Sequence, residues 1–253
     1  MKVKAAVRYQ IKALRSDVLV ICLLIAVTYA AGTIWAVVSP SSLDEGVTTV
    51  GGTEAIAVIF VFIAGIASFR SNFLLLMQNG LGRRQIIKSQ IAAAAGVSLI
   101  LAVVTAIFNE IGTWISSHLN NFNFTNTTLE VYQESLGDSG LIIRFVFTLF
   151  LLFVMYLATY AFGYVLGVFG YRGGTPAIVG MSVGLPVILF ILLPIWVSFL
   201  SKGMQDKLLS FFLNTLLGAG MRQPWRGGLT FLAAALILGA FGAWLAGRAQ
   251  VKE

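Results

Sequence analysis

Six apolar runs, separated by polar segments of very unequal charge, set the pattern of this chain: about 18–38, 54–69, 91–108, 141–166, 176–199 and 229–246. A helix of about 20 apolar residues crosses a bilayer, and most of the runs come close to that length. The pattern predicts an all-α integral membrane protein, six transmembrane helices forming one domain over 1–253. Ahead of the first run, Val3, Val7, Ile11 and Leu14 fall on one helical stripe and Lys4, Arg8, Lys12 and Arg15 on the neighbouring one. That spacing predicts an N-terminal amphipathic helix over 1–17 at the membrane interface, its bases toward headgroups. The first run is long for a cleaved signal peptide, and an uncleaved helix is expected. Pro186 and Pro194 predict a break or kink in the fifth run. Leu208–Leu217 is apolar but too short to span, which predicts a re-entrant or interfacial outer segment between helices five and six, the alternative being part of an extra broken span.

The segment Phe69–Lys88, FRSNFLLLMQNGLGRRQIIK, joins the second and third runs and carries Arg70, Arg83, Arg84 and Lys88 without an acid. Its apolar core Phe73–Met77 reads as a short helix at the cytoplasmic membrane surface, with an ordinary basic connecting loop as the alternative that periodicity alone leaves open. The following Gln78-Asn79-Gly80 closes it, since Asn-Gly suits the left-handed conformation that ends helices.

Composition settles the class. The 253 residues are 58% hydrophobic and 11% charged, with a mean hydropathy of +0.90; soluble domains are about 25% charged. The net charge of +7 sits beside apolar runs, so anionic lipid and topology account for it better than nucleic acid does. With both termini inside, the inner segments carry five, four, one and two Lys or Arg, and the first two outer loops carry none. This fixes the orientation over the first four spans in a cytoplasmic membrane. Segment 201–228 runs against it, with Lys202, Lys207, Arg222 and Arg226 on the outer side.

Candidate chemistry is sparse. His118 is the only histidine and Cys22 the only cysteine, so neither a metal site nor a disulfide is expected. No Gly-x-x-x-x-Gly-Lys-Ser/Thr phosphate loop occurs. No Asp, Glu or Lys falls near the centre of a span; Glu54, Glu110 and Arg144 map near the outer interface. No catalytic, cofactor-binding or metal-binding residue is therefore expected. Proton- or sodium-coupled carriers usually need an intramembrane ionisable group, which weakens that reading. Small residues at helical spacing, Gly163 with Gly167 and Gly180 with Gly184, mark candidate helix seams, either within one bundle or between subunits.

Taken together, the N-terminal basic helix, the FRSNFLLLMQNGLGRRQIIKSQ loop, the FGYVLGVFGYR stretch over Phe162–Arg172 and the outer segment before the last span resemble the short membrane subunits of bacterial type-2 ABC exporters. In that family the permease and the ATPase are separate chains. The resemblance implies that the first inner loop is a coupling helix docking in a cytoplasmic ATPase. Phe73, Leu74, Leu75, Leu76 and Met77 would form the docking face, with Asn79, Gly80, Arg83 and Arg84 beside them. It implies a second permease copy or a paralogue, ATP and Mg on the partner rather than on this chain, and membrane lipids around it. After Arg172 the chain departs from the family pattern: Gly173-Gly174-Thr175 follow where relatives carry more bases. The expected function is export of a hydrophobic or amphipathic substrate such as a peptide, lipid or drug-like molecule. A secondary carrier or channel and a non-transporting scaffold or sensor subunit are the alternatives.

Overall fold

The computed structural model describes residues 2–38, 48–118, 122–132, 136, 140–174, 179–180, 184, 187–218, 223 and 225–248. Its helices are α1 (Lys2–Val38), α2 (Thr53–Gln78), α3 (Arg83–His118), α4 (Thr127–Val131), α5 (Leu141–Gly173), α6 (Leu193–Ser198), α7 (Lys202–Ser210) and α8 (Trp225–Gly247). π-helical turns over Ile188–Leu192 and Phe211–Leu217 run into α6 and out of α7. The chain is an all-α membrane protein. Among the described residues four helices are long and apolar enough to cross a bilayer, over Ala5–Trp35, Arg83–His118, Leu141–Tyr171 and Trp225–Gly247; Glu54–Phe69 is a shorter apolar segment.

Most helices outrun the apolar runs that signalled them. Residues 1–17 do not form a separate interfacial helix. They contain no Pro or Gly, and Ala, Lys, Arg and Leu carry the helix unbroken from Lys2 into the first run. The packed stripe is also shifted from the expected one. Ala6, Gln10, Val18, Ile25 and Tyr29 are buried, whereas Ile11 is exposed. That stripe lies against α3, which carries the buried Ser89 that accepts from Gln10 Nε2 at 3.3 Å. Arg8, Lys12 and Arg15 are exposed, and the side chain of Lys4 lies outside the described residues.

Helix α5 is the centre of the bundle, packed against α2, α3 and α8. Glycines set its distance from α2. A Cβ on Gly65 would meet the Tyr160 carbonyl at 2.5 Å, one on Gly167 would meet the Ile66 carbonyl at 2.5 Å, and one on Gly163 would run into the Phe62 carbonyl. Backbones this close gain dispersion contacts that lipid chains cannot supply, and close packing drives helix association in bilayers. A Cβ on Gly180 or Gly184, by contrast, would meet nothing within 4 Å among the described residues.

Pro186 and residues 176–178 of the expected fifth span lie outside the described residues. Pro194 sits in the first turn of α6 without ending the helical path. The turn before it has widened to π-helix, with the Leu193 N–H donating to the Ile188 carbonyl, one way a chain absorbs a proline's missing donor. The segment expected on the outer side starts earlier than the apolar run 208–217: α7 begins at Lys202 and continues through the π-helical turn to Leu217. Gln205 Nε2 reaches back to the Leu200 carbonyl at 2.8 Å and the Val197 carbonyl at 3.2 Å. It thereby folds α7 onto the end of α6.

Two segments expected as loops pair instead. β1 (Thr48–Gly51) and β2 (Phe122–Thr125) form a parallel two-stranded ladder, Thr48 opposite Phe122 and Gly51 opposite Thr125. Phe124 of β2 packs at a tilt against Tyr29 of α1 with ring centroids 5.2 Å apart. Gly112 of α3 leaves room for the pair, since a Cβ there would lie 2.8 Å from both rings. The ladder thus packs against α1 and α3 at the end of the bundle away from the α2–α3 turn.

Candidate functional site

The turn between α2 and α3 is built by its glycine. Nothing between Phe69 and Gln78 breaks a helix, so α2 runs on past the apolar span, and the short separate helix expected at Phe73–Met77 is its last turns. Gly80 takes the left-handed conformation, with φ of 74°. The Gly80 N–H donates to the Met77 carbonyl at 2.9 Å and the Leu81 N–H to the Leu76 carbonyl at 3.1 Å, the paired bonds of a Schellman stop. Asn79 adds a third closure, its Nδ2 donating to the Leu75 carbonyl at 2.8 Å. Helix α3 restarts at Arg83, two residues beyond Leu81. The result is a stiff corner rather than a floppy loop.

The five apolar residues of that turn do not share one face. Phe73 and Leu76 point inward at 1% and 4% exposure. Phe73 stacks on Phe69 at 4.8 Å, and both rings meet Tyr171 of α5 edge-on, at 6.2 and 5.5 Å. These aromatics fasten the end of α2 to α5, and Phe73 and Leu76 are covered within the chain. Leu75 is exposed at 37%, Met77 is half-buried, and the side chain of Leu74 lies outside the described residues. Gln78, Asn79, Gly80, Arg83, Arg84 and Lys88 are all exposed. Arg83 also donates from its guanidinium to the Gly247 carbonyl at 3.0 Å, binding the start of α3 to the end of α8; a cation suits the negative end of that helix. Arg248 stacks over Trp244 at 4.2 Å.

At the opposite end lies a polar network that apolar patterning does not reveal. Glu54, in the first turn of α2, is buried at 6% exposure. Its Oε1 accepts from Asn109 Nδ2 at 2.9 Å and from the Thr128 hydroxyl at 3.1 Å. Tyr29 in turn donates its hydroxyl to Asn109 Oδ1 at 3.3 Å. Two donors and the positive end of α2 hold the carboxylate. The network joins α1, α2, α3 and α4, so it fastens the α4 segment to the bundle. In sequence, Asn109 and Glu110 sit side by side at the right depth, and nothing there tells which one turns inward. Tyr132, just after α4, does similar work further along: its hydroxyl donates to the Leu217 carbonyl at 2.9 Å, and burial pushes the phenol up to about 12.

Between α3, α5 and α8 an almost wholly apolar cleft of about 340 Å³ opens sideways. Its floor carries one polar pair, Gln90 Nε2 donating to the Tyr160 hydroxyl at 2.6 Å. Among the described residues no group of three His, Cys, Asp or Glu side chains is placed to hold a metal ion. Compared with known proteins, the chain matches no protein family, no curated protein and no solved structure.

Proposed function

We propose that this chain is the transmembrane permease subunit of an ATP-driven ABC exporter. In this reading it crosses the bacterial cytoplasmic membrane six times, with both termini inside, and works with a separate cytoplasmic ATPase and a second permease copy or paralogue. The observation that carries the reading is the stiff, exposed corner between α2 and α3 at the basic end of the molecule. A partner pressing on Leu75, Gln78, Asn79 and Arg84 would move two helices at once, because the Schellman bonds leave the corner little freedom to bend. The glycine contacts between α2 and α5 would pass that push to the centre of the bundle as a rigid body. Relative movement would then fall at the looser boundary between α3 and α8, where the cleft lies. An apolar lining with one polar pair suits a hydrophobic or amphipathic substrate.

The experiment is photo-cross-linking from Gln78→Cys carrying a thiol-attached benzophenone, which inserts into any neighbouring C–H bond, in a Cys22→Ser background and in native membranes. The expected product joins this chain to a soluble ATPase, with a yield that changes when nucleotide is added. Cross-links only to lipid or to unrelated membrane proteins would overturn the reading.

A second reading is favoured by one observation, the buried Glu54 carboxylate. A secondary carrier would use such a group for coupled ion movement. It expects substrate flux by this chain alone in liposomes driven by an ion gradient, and loss of that flux in Glu54→Gln.

A further inference from the structure

We infer that the cleft between α3 and α8 is a site for an anionic phospholipid of the inner leaflet, with an acyl chain inside and the phosphate at its basic rim. This goes beyond the transport reading and does not depend on an ATPase partner. Three observations on different residues converge. The cleft is walled by Ile87, Ile91 and Ala94 of α3 and by Gly239, Ala240 and Ala243 of α8, over the α5 floor. Ile91 and Leu236 of the lining are 55% and 65% exposed, so the cleft opens on the side that faces lipid. Its volume of about 340 Å³ lies at the lower end of small-ligand sites, roughly 300–1,000 Å³.

The charge lies where a headgroup would be. On α3, Arg84 and Lys88 precede Ile91 at helical spacing of four and three, so both bases lie on the stripe that leads into the cleft wall. On α8, Ala240, Trp244 and Arg248 follow each other at spacings of four, and Arg248 is held over the Trp244 ring at 4.2 Å. The Arg83–Gly247 hydrogen bond holds the two helix ends together, so the bases of both walls border one mouth. Arg84, Lys88 and Arg248 are all exposed. Basic pockets between membrane helices on the cytoplasmic side select anionic headgroups in this way. Trp244 adds an amphipathic ring at headgroup depth.

The test uses the full chain in nanodiscs. Gly239→Phe fills the cleft without disturbing the bundle, because a Cβ at Gly239 meets nothing within 4 Å. Native mass spectrometry after brief delipidation should find phosphatidylglycerol retained in preference to phosphatidylcholine. Gly239→Phe should remove the retained lipid of both kinds. Replacing Arg84, Lys88 and Arg248 with Gln should leave an occupant but erase the headgroup preference, at about fivefold for each base removed. Equal retention of the two lipids by the unmodified chain would overturn the proposal. So would a dimer that Gly239→Phe dissociates while lipid retention stays unchanged, which would make the cleft a seat for a second copy's helix.

Discussion

Gly65 of α2 and Gly163 of α5 lie face to face: a Cβ on Gly65 would stand 3.1 Å from the Gly163 Cα and 2.5 Å from the Tyr160 carbonyl. Even one methyl group therefore forces the helices apart, and a branched side chain forces them further. Gly65→Val should cost about 1–3 kcal/mol through overpacking and lower the thermal midpoint in detergent by several degrees. Gly239→Ala, which meets open space, is the matched control and should leave the midpoint within a degree or two. Equal effects of the two changes would show that α2 and α5 are not the tight pair described.

The α2–α3 corner separates folding from docking by exposure. Leu75→Asp places a charge on a residue that is already 37% exposed, so insertion and thermal stability should be close to unchanged while ATPase binding is lost. Phe73→Asp and Leu76→Asp bury a carboxylate among aromatics and should cost several kcal/mol, read as poor yield and early unfolding. A Leu75→Asp protein that still binds an ATPase at full strength would remove this corner from the docking surface.

Gly80 makes a narrower case. Gly80→Val forces a branched residue into the left-handed region at φ of 74° and should cost about 1–2 kcal/mol. Gly82→Ala, with no positive φ and nothing within 4 Å, should be neutral. Hydrogen exchange at the Leu81 and Gly80 amides would report the difference directly.

Much of this was legible from the chain, and the misses have common physical causes. Apolar runs located four helices long and apolar enough to cross a bilayer, because burial there demands such runs, and Asn79-Gly80 placed the corner because only glycine takes that conformation cheaply. The helix ends were misjudged where polar residues such as Arg83–Gln90 are themselves good helix formers, so a change in polarity was no change in structure. Phe73 and Leu76 looked like a docking face because composition cannot say which neighbour fills the space beside a ring; Tyr171, nearly a hundred residues away, fills it. The Glu54 network stayed hidden for a related reason. Its donors Asn109 and Thr128 come from two distant segments, and no local spacing announces that they converge.

Glu54 supports a sharp comparison. Glu54→Leu leaves the Asn109 amide and the Thr128 hydroxyl buried without their acceptor, at about 1–3 kcal/mol for each donor left unpaired. Glu54→Gln keeps an oxygen for them and should lose less than half as much. The same thermal melts would read both, and a Leu variant as stable as the Gln variant would show that the network contributes nothing to holding α4 on the bundle.

Tyr132 gives a pH dependence with a definite sign. An unfolded tyrosine ionises near 10, and burial raises the folded phenol to about 12. The unfolded chain therefore loses this proton first. The contribution of Tyr132 is complete below about pH 10 and is lost as pH rises toward 12. Tyr132→Phe should flatten that alkaline decline, measured as thermal midpoint against pH, and should loosen the segment ending at Leu217 in limited proteolysis by removing a hydrogen bond worth about 1 kcal/mol.

The central claim is that energy for transport enters this chain from a soluble partner through the α2–α3 corner. The most direct measurement is mild-detergent purification of the tagged chain from its native membrane, with quantitative mass spectrometry of everything that stays bound. The account predicts a cytoplasmic ATPase in stoichiometric amount, lost in Leu75→Asp and retained in Gly239→Ala. Recovery of the chain alone, or with membrane proteins only, would contradict it.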